Sequence, residues 1–423
     1  MPLTDMHPTR TAVVALLALS LLACASQPSN PTAIAPILPP PVLLVSLDGF
    51  RADDLALGIT PNLARLAAQG VRAEWMNAAY PTLTFPNHYT IVTGLRPDRH
   101  GVVHNTMWDD TLGGFKLSDR EAVGTSDWWG GEPIWVGAEK AGLPTATLSW
   151  PGSEAPVQGV QPTRWRLFDA EVPIDARVDT VLGWLSEPAT TRPVLATLYF
   201  EHLDSASHDH GPDSAEAHAT IARLDRAIGR LLDGLARSGQ RDSINLVVVS
   251  DHGMAAVAPN QVVAVEDMVN PGDVQVITRG QSVGFEPQPG RTAAAEAQLL
   301  GAHANYDCWR KGELPARWHY GRHPRVPAIV CQMHEGWDAV PRESVARRNA
   351  GGMRGSHGFD PALPSMRALF IAHGPAFHRG VTLPAFDNVD VYPLLARLVG
   401  IKPAPNDGDA ATGLPALQQA DPP

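Results

Sequence analysis

Short, continuous apolar runs alternate along this chain with segments of helical periodicity, and this alternation restricts the folds that are open to it. The runs at residues 41–47, 194–200 and 245–250 lack the polar alternation of a half-exposed strand, so they are typical of strands buried on both faces. Residues 213–238 place Ile and Leu side chains on one stripe of a helix. Together these segments predict an α/β fold with a mostly parallel central sheet between two helical layers.

The segments that follow predict how the rest of the chain is organised. Residues 366–372 predict a further strand and residues 391–399 a last helix, so we expect one large domain over residues 42–408. Residues from about 255 to 350 are rich in Gly, Pro and isolated aromatic residues, and we interpret them as a smaller irregular or β insertion rather than a second core. Residues 409–423 are expected to form a C-terminal tail.

The N-terminus is typical of an export signal. Residues 1–10 with their free amine are net positive, and the apolar run at 11–23 is too short for a hydrocarbon core about 30 Å thick. We therefore predict a signal peptide over residues 1–24 and a tether over residues 25–41. The residues before Cys24 resemble a bacterial lipoprotein box, but they also fit ordinary signal-peptidase cleavage. A lipid-anchored envelope protein and a soluble periplasmic protein both remain open.

Two further cysteines, Cys308 and Cys331, lie in the body of the chain. In an oxidising compartment a disulfide between them is expected. Their spacing fits no zinc-binding pattern, so we do not assign them to a metal.

The charge balance disfavours one class of partner. The chain has 33 basic and 44 acidic side chains, a net charge of −11, and no basic run. Proteins that bind duplex nucleic acid carry a basic surface, so such binding is disfavoured here, and any polyanionic substrate must be held by local charge such as metal ions.

Acidic and histidine side chains follow the ends of the predicted strands. In an open α/β sheet, ligands bind at the carboxyl ends of the strands. Each residue alone is explained as an ordinary turn or surface residue, but together they offer borderline oxygen and nitrogen ligands suited to zinc. Six such ligands are enough for two ions. The residues are Asp48, Asp204, His208, Asp251, His252 and His357.

Thr84 is a candidate nucleophile. It lies where a polar turn runs into an apparent helix with Pro86 near its first turn. Free backbone N–H groups at a helix N-terminus favour an anion. A structural N-cap threonine is an equally good interpretation of this segment on these grounds alone.

Several motifs, in order along the chain, resemble the nucleotide pyrophosphatase/phosphodiesterase family of the alkaline phosphatase superfamily, and most of all its compact bacterial members. The likeness covers nearly all of residues 42–408. The motifs are residues 48–51 (Asp-Gly-Phe-Arg), 84–88 (Thr-Phe-Pro-Asn-His), 94–101, 251–254 (Asp-His-Gly-Met) and 355–360. The resemblance implies one zinc ion held by Asp48, Thr84, Asp251 and His252, and a second held by Asp204, His208 and His357.

The resemblance also implies how a substrate is bound. Asn105 would donate a hydrogen bond to a phosphoryl oxygen beside the Thr84 backbone N–H. Phe85 and Phe168 resemble the aromatic pair that sandwiches a nucleobase.

The expected function is that of an exported, monomeric two-zinc phosphodiesterase. It would hydrolyse nucleotide phosphodiester or phosphoanhydride bonds through a phosphothreonine at Thr84 and release a nucleoside 5′-monophosphate. One alternative is a phosphomonoesterase, or a lysophospholipid or choline-phosphate phosphodiesterase, of the same superfamily. An alternative of another class is a non-catalytic envelope lipoprotein.

Overall fold

The computed structural model describes residues 39–418. The predicted signal peptide with Cys24, and all of the predicted tether before residue 39, lie outside these residues. Within the described range, every helix is too short or too polar to cross a lipid bilayer.

An eight-stranded sheet forms the centre of the part of the chain that the structure describes. Its strands run parallel to their neighbours except for Phe370–His373, which is antiparallel to the strand on either side. The predicted α/β fold with a mostly parallel sheet is therefore confirmed. From one edge to the other, the strands are Val381–Leu383, Val71–Ala73, Phe370–His373, Asn245–Val249, Val42–Leu47, Leu195–Phe200, Thr145–Leu148 and Arg164–Arg166.

Helices cover both faces of this sheet because its central strands are apolar on both sides. In the strand Val42–Leu47, Val42 and Leu44 belong to one buried apolar cluster, while Leu43 and Val45 belong to another. A sheet that is apolar on both faces needs a layer of helices on each face, which gives three layers. The first cluster includes residues of the helices Thr84–Thr93, Ile134–Lys140 and Val391–Val399, and the second those of Pro61–Gln69, Ile174–Leu185 and Ala215–Arg237.

Residues 255–350 contain a second sheet, which is antiparallel and has five strands within the described chain. Side chains such as Phe285 and Met333 are buried in an apolar cluster of this segment. The segment therefore has a core of its own, which its irregular composition did not predict. In sheet order, its strands are Val274–Thr278, Ser282–Pro287, Ile329–Met333, Tyr306–Arg310 and Gly301–Ala302.

Shorter elements connect these parts. The predicted tail is described as far as residue 418, where the Gln418 N–H donates to the Ala376 carbonyl at 2.8 Å. This part of the tail therefore packs against the domain. Four further pairs are formed by strands of two to four residues. They are Ala255–Val257 with Arg354–Ser356, Val262–Ala264 with Asp338–Val340, Met76–Asn77 with Phe386–Asp387, and Thr106–Asp109 with Gly113–Lys116. The remaining α-helices are Pro97–His100, Arg120–Gly124, His202–His210, Val265–Met268, Thr292–Leu299 and Arg342–Asn349.

The register of three central strands brings their carboxyl ends to one edge of the sheet. Leu47 pairs with Phe200, and Ser46 pairs with both Tyr199 and Val249. The residues that follow these strands therefore meet above the same edge, where open α/β sheets bind their ligands.

Candidate metal and catalytic site

Four of the predicted site residues meet at this edge around the His252 ring. Its Nε2 atom lies 2.9 Å from Oδ2 of Asp251, 3.5 Å from Oδ1 of Asp48 and 3.4 Å from the Thr84 hydroxyl oxygen. Thr84 is the first residue of the helix Thr84–Thr93, and Leu83 is its N-cap. The hydroxyl therefore lies at a helix N-terminus and beside two buried carboxylates.

The other three predicted ligands form a second group next to the first. Oδ1 of Asp204 lies 3.4 Å from Nε2 of His208 and 3.4 Å from Nε2 of His357. Asp204 and His208 share one face of a helix, four residues apart. The His357 ring stacks on the His252 ring with centroids 3.6 Å apart, so the two groups are continuous.

Gly49 allows this close approach. Its φ is +71°, and a Cβ atom there would lie 3.3 Å from the Cα atom of Asp204. A residue with a Cβ atom would be strained at this φ and would push Asp204 away from Asp48.

Backbone carbonyls fix the orientation of all three rings. Nδ1 of His252 is 2.8 Å from the Gly253 carbonyl, and Nδ1 of His208 is 2.9 Å from the Gly355 carbonyl. Nδ1 of His357 is likewise 2.9 Å from the Thr82 carbonyl. Each Nδ1–H donates to its carbonyl, so Nε2 is the ring nitrogen that faces the cluster. Histidine ligands of metals are held in this way.

Buried carboxylate oxygens in the cluster lack hydrogen-bond partners among the described residues. They are Oδ1 of Asp48, Oδ1 of Asp204 and Oδ2 of Asp251. Burial raises the pKa of Asp48 well above its usual value, and the carboxylates of Asp251 and Asp204 raise it further. Buried charge of one sign is costly unless it is paired or bound to a metal. The donor set therefore fits divalent cations, and two overlapping groups could hold them: Asp48, Asp251 and His252, and Asp204, His252 and His357.

Two side chains that support this cluster were not predicted from the sequence. The Tyr199 hydroxyl donates to Oδ2 of Asp48 at 2.5 Å. Nδ1 of His88 donates to the Thr84 carbonyl at 2.9 Å and lies 3.3 Å from Oδ2 of Asp251, without a hydrogen bond to it. The available signal for Tyr199 was its hydroxyl near the carboxyl end of the buried strand Leu195–Phe200.

Asn105 lies next to the start of the nucleophile helix. Its Oδ1 atom accepts a 2.9 Å hydrogen bond from the Phe85 N–H. This bond assigns the amide orientation and leaves Nδ2 as the group that can donate to a ligand. The Phe85 ring is largely buried against Phe115 and Trp129, with centroids 6.0 Å and 5.9 Å away.

The last predicted site residues lie in two different places. The ring of Phe168 is 6.1 Å from that of Tyr199, which connects it to the cluster. Cys308 and Cys331 form a disulfide across neighbouring strands of the five-stranded sheet. The disulfide is part of that sheet and contributes no ligand to the cluster.

The sequence profile of the type I phosphodiesterase / nucleotide pyrophosphatase family matches residues 42–360. The chain belongs to this family. It is 36% identical over 382 residues to a venom phosphodiesterase of Macrovipera lebetinus, covering 87% of this chain and 44% of the relative. It is 37% identical over 380 residues to ectonucleotide pyrophosphatase/phosphodiesterase family member 3 of Mus musculus, covering 87% of this chain and 43% of that protein.

Solved structures of the family extend the comparison to the fold. An inactive murine ectonucleotide pyrophosphatase / phosphodiesterase 5 in complex with AMP superposes with a TM-score of 0.84 at 32% identity, covering 89% of this chain and 100% of the other. This likeness confirms the alkaline-phosphatase-like fold. The chain nevertheless spans less than half the length of the curated relatives above.

Proposed function

We propose that this family member is a two-zinc phosphodiesterase that cleaves nucleotide phosphodiester or phosphoanhydride bonds and releases a nucleoside 5′-monophosphate. The observation that carries the proposal is the convergence of three imidazole Nε2 atoms and three carboxylates beside one threonine hydroxyl. Nitrogen and oxygen donors in this mixture suit zinc.

The seven proposed ligands divide into two sets. Bound divalent ions would supply Lewis acidity to the nucleophile on one side and to the leaving oxygen on the other. The first set is Asp48, Thr84, Asp251 and His252, and the second is Asp204, His208 and His357.

Thr84 is the proposed nucleophile. Its Oγ1 would form a bond to phosphorus as the bond to the leaving oxygen breaks, giving a phosphothreonine that water then hydrolyses. The Thr84 backbone N–H at the start of the helix favours the incoming phosphoryl anion, while the Phe85 N–H donates to Asn105 and the Asn87 N–H to the Leu83 carbonyl. Asn105 would hold a phosphoryl oxygen through Nδ2, because its Oδ1 is already bonded to the Phe85 N–H.

A nucleotide is the proposed substrate class. Phe85 follows Thr84 directly in the chain, and the Phe168 ring lies 6.1 Å from the ring of Tyr199, whose hydroxyl binds Asp48. Aromatic rings bind nucleobases by stacking. The AMP complex of the murine relative supports this choice. A monomer that acts on a small nucleotide, and not on duplex nucleic acid, is part of this proposal.

Export is proposed as well. A signal peptide over residues 1–24 and a tether to residue 41 would deliver a catalytic domain at 42–408 to the periplasm or envelope. The disulfide between Cys308 and Cys331 supports an oxidising compartment. Cell fractionation tests the lipid anchor. If Cys24 is lipidated, the wild-type chain is expected in the membrane fraction and the Cys24→Ala variant in the soluble fraction.

Paired substrates test the activity. The zinc-loaded chain is expected to hydrolyse bis(p-nitrophenyl) phosphate far faster than p-nitrophenyl phosphate and to release AMP from ATP. A clear preference for the monoester would instead favour a phosphomonoesterase. Absence of both activities in a chain that binds zinc would favour the non-catalytic alternative.

A further inference from the structure

Residues 168–172 form a loop that carries Phe168, and two buried charged residues hold its backbone. We propose that Arg177 and Glu154 are positioning residues that fix Phe168 as a stacking surface for the nucleobase. The inference rests on the proposed nucleotide phosphodiesterase activity and specifies which residues give that activity its preference for nucleotides.

Arg177 is completely buried, yet all five of its N–H groups have partners. Nη1 and Nη2 bind the two carboxylate oxygens of Glu201 at 2.5 Å and 2.9 Å. This fork-to-fork geometry compensates the cost of burying the charge and is specific to arginine.

The remaining donors of Arg177 bind backbone carbonyls, two of them in the Phe168 loop. Nη2 donates to the Asp169 carbonyl at 3.0 Å, and Nε donates to the Val172 carbonyl at 3.1 Å. The guanidinium carbon lies 5.9 Å from the centroid of the Phe168 ring, within range of a cation–π contact. Arg177 therefore holds the loop and one side of the ring together.

Glu154 holds the other end of the loop. Its Oε1 accepts a 2.9 Å hydrogen bond from the Phe168 N–H, and its Oε2 pairs with Arg120. The Glu154 side chain is buried, so loss of the acceptor would leave the Phe168 N–H without this partner. The backbone on both sides of the ring is thus fixed by charged groups that do not contact Thr84.

This arrangement predicts a specific kinetic signature. A stacking surface stabilises only substrates that carry a base, whereas the metal cluster acts on every phosphodiester. The matched substrates are p-nitrophenyl thymidine 5′-phosphate and methyl p-nitrophenyl phosphate, which share a leaving group and differ in the nucleoside.

The variants are Arg177→Lys, Glu154→Ala and Phe168→Ala. Each is expected to raise KM for the thymidine ester about tenfold, the typical loss of one base stack, and to change kcat/KM for the methyl ester less than about twofold. Glu154→Gln keeps an acceptor for the Phe168 N–H and is expected to retain the wild-type preference. Arg230→Lys is the control, because the bidentate pair of Arg230 with Asp179 is exposed and its hydrogen bonds do not involve the loop.

The outcomes separate this inference from the proposed function. If the wild-type chain hydrolyses neither ester, the proposed function fails. If it prefers the thymidine ester but Glu154→Ala keeps that preference, or if the folded variants lose both substrates equally, the positioning role is overturned. Circular dichroism melting identifies any variant that is unfolded. If Arg177→Lys does not fold, the comparison of Glu154→Ala with Glu154→Gln still tests the inference.

Discussion

The hydroxyl of Tyr199 donates a 2.5 Å hydrogen bond to Oδ2 of Asp48, and Oδ1 of the same carboxylate faces Nε2 of His252 at 3.5 Å. One oxygen is thus occupied by a neutral donor while the other remains for a cation. Hydrogen bonds to ligating groups fix their orientation and tune the bound metal.

Removal of this hydrogen bond is expected to weaken metal binding. Tyr199→Phe should lower zinc affinity about tenfold, because Asp48 loses the donor that orients it. Competition with a chromogenic chelator measures the affinity. Tyr89→Phe is the matched control: the Tyr89 hydroxyl is also buried but has no hydrogen-bond partner among the described residues. Equal zinc affinity in Tyr199→Phe and wild-type chain would contradict the expected role of Tyr199.

Loss of the Thr84 hydroxyl should abolish turnover without unfolding the protein. Thr84→Ala is expected to reduce kcat by about 10⁴-fold, whereas Thr84→Ser keeps a hydroxyl and part of the activity. Thr93→Ala is a control in the same helix, since the Thr93 hydroxyl donates to the Tyr89 carbonyl and accepts from the Leu95 N–H at the other end of that helix. Rates on bis(p-nitrophenyl) phosphate decide the matter, and full turnover by Thr84→Ala would exclude Thr84 as the nucleophile.

His100 is expected to make the fold sensitive to acid. Burial lowers the pKa of His100 to about 3, and its Nδ1 accepts a 3.1 Å hydrogen bond from the Val102 N–H, so the folded state favours the neutral ring. The unfolded pKa is about 6.5, so this contribution to stability is complete above that pH and is lost as the pH falls toward 3.

Urea unfolding between about pH 7 and pH 5 measures this effect. Wild-type stability should fall more steeply than that of His100→Gln, by up to about 1.4 kcal/mol per pH unit. Identical slopes for the two proteins would show that His100 does not contribute to the acid sensitivity.

The part of the fold that follows from periodicity was predictable. The runs that end before Asp48 and Asp251 are buried on both faces, and such strands pair in parallel between helical layers. Because strand ends meet at one edge, the clustering of these residues also followed from their position in sequence. Grouping them with His357 depended on the family resemblance, since nothing local indicates where residue 357 returns to the sheet.

Long-range contacts explain what the sequence did not predict. The bond from Tyr199 to Asp48 joins two strands whose register is set by the whole sheet. The core at 255–350 is built from short strands. The Gly and Pro residues of the connecting turns dominate the composition of this segment, so the sequence did not indicate how the strands pair. The ion pair of Arg177 with Glu201 likewise joins residues 24 positions apart in the sequence.

The central claim is that the cluster binds two metal ions that act on one threonine. Zinc content measured by inductively coupled plasma mass spectrometry, together with hydrolysis of bis(p-nitrophenyl) phosphate, tests it most directly. We predict two zinc ions in each loaded wild-type chain, and one zinc ion with loss of hydrolysis in His357→Ala. Less than one zinc ion in the loaded wild-type chain, or undiminished hydrolysis by His357→Ala, would contradict the claim.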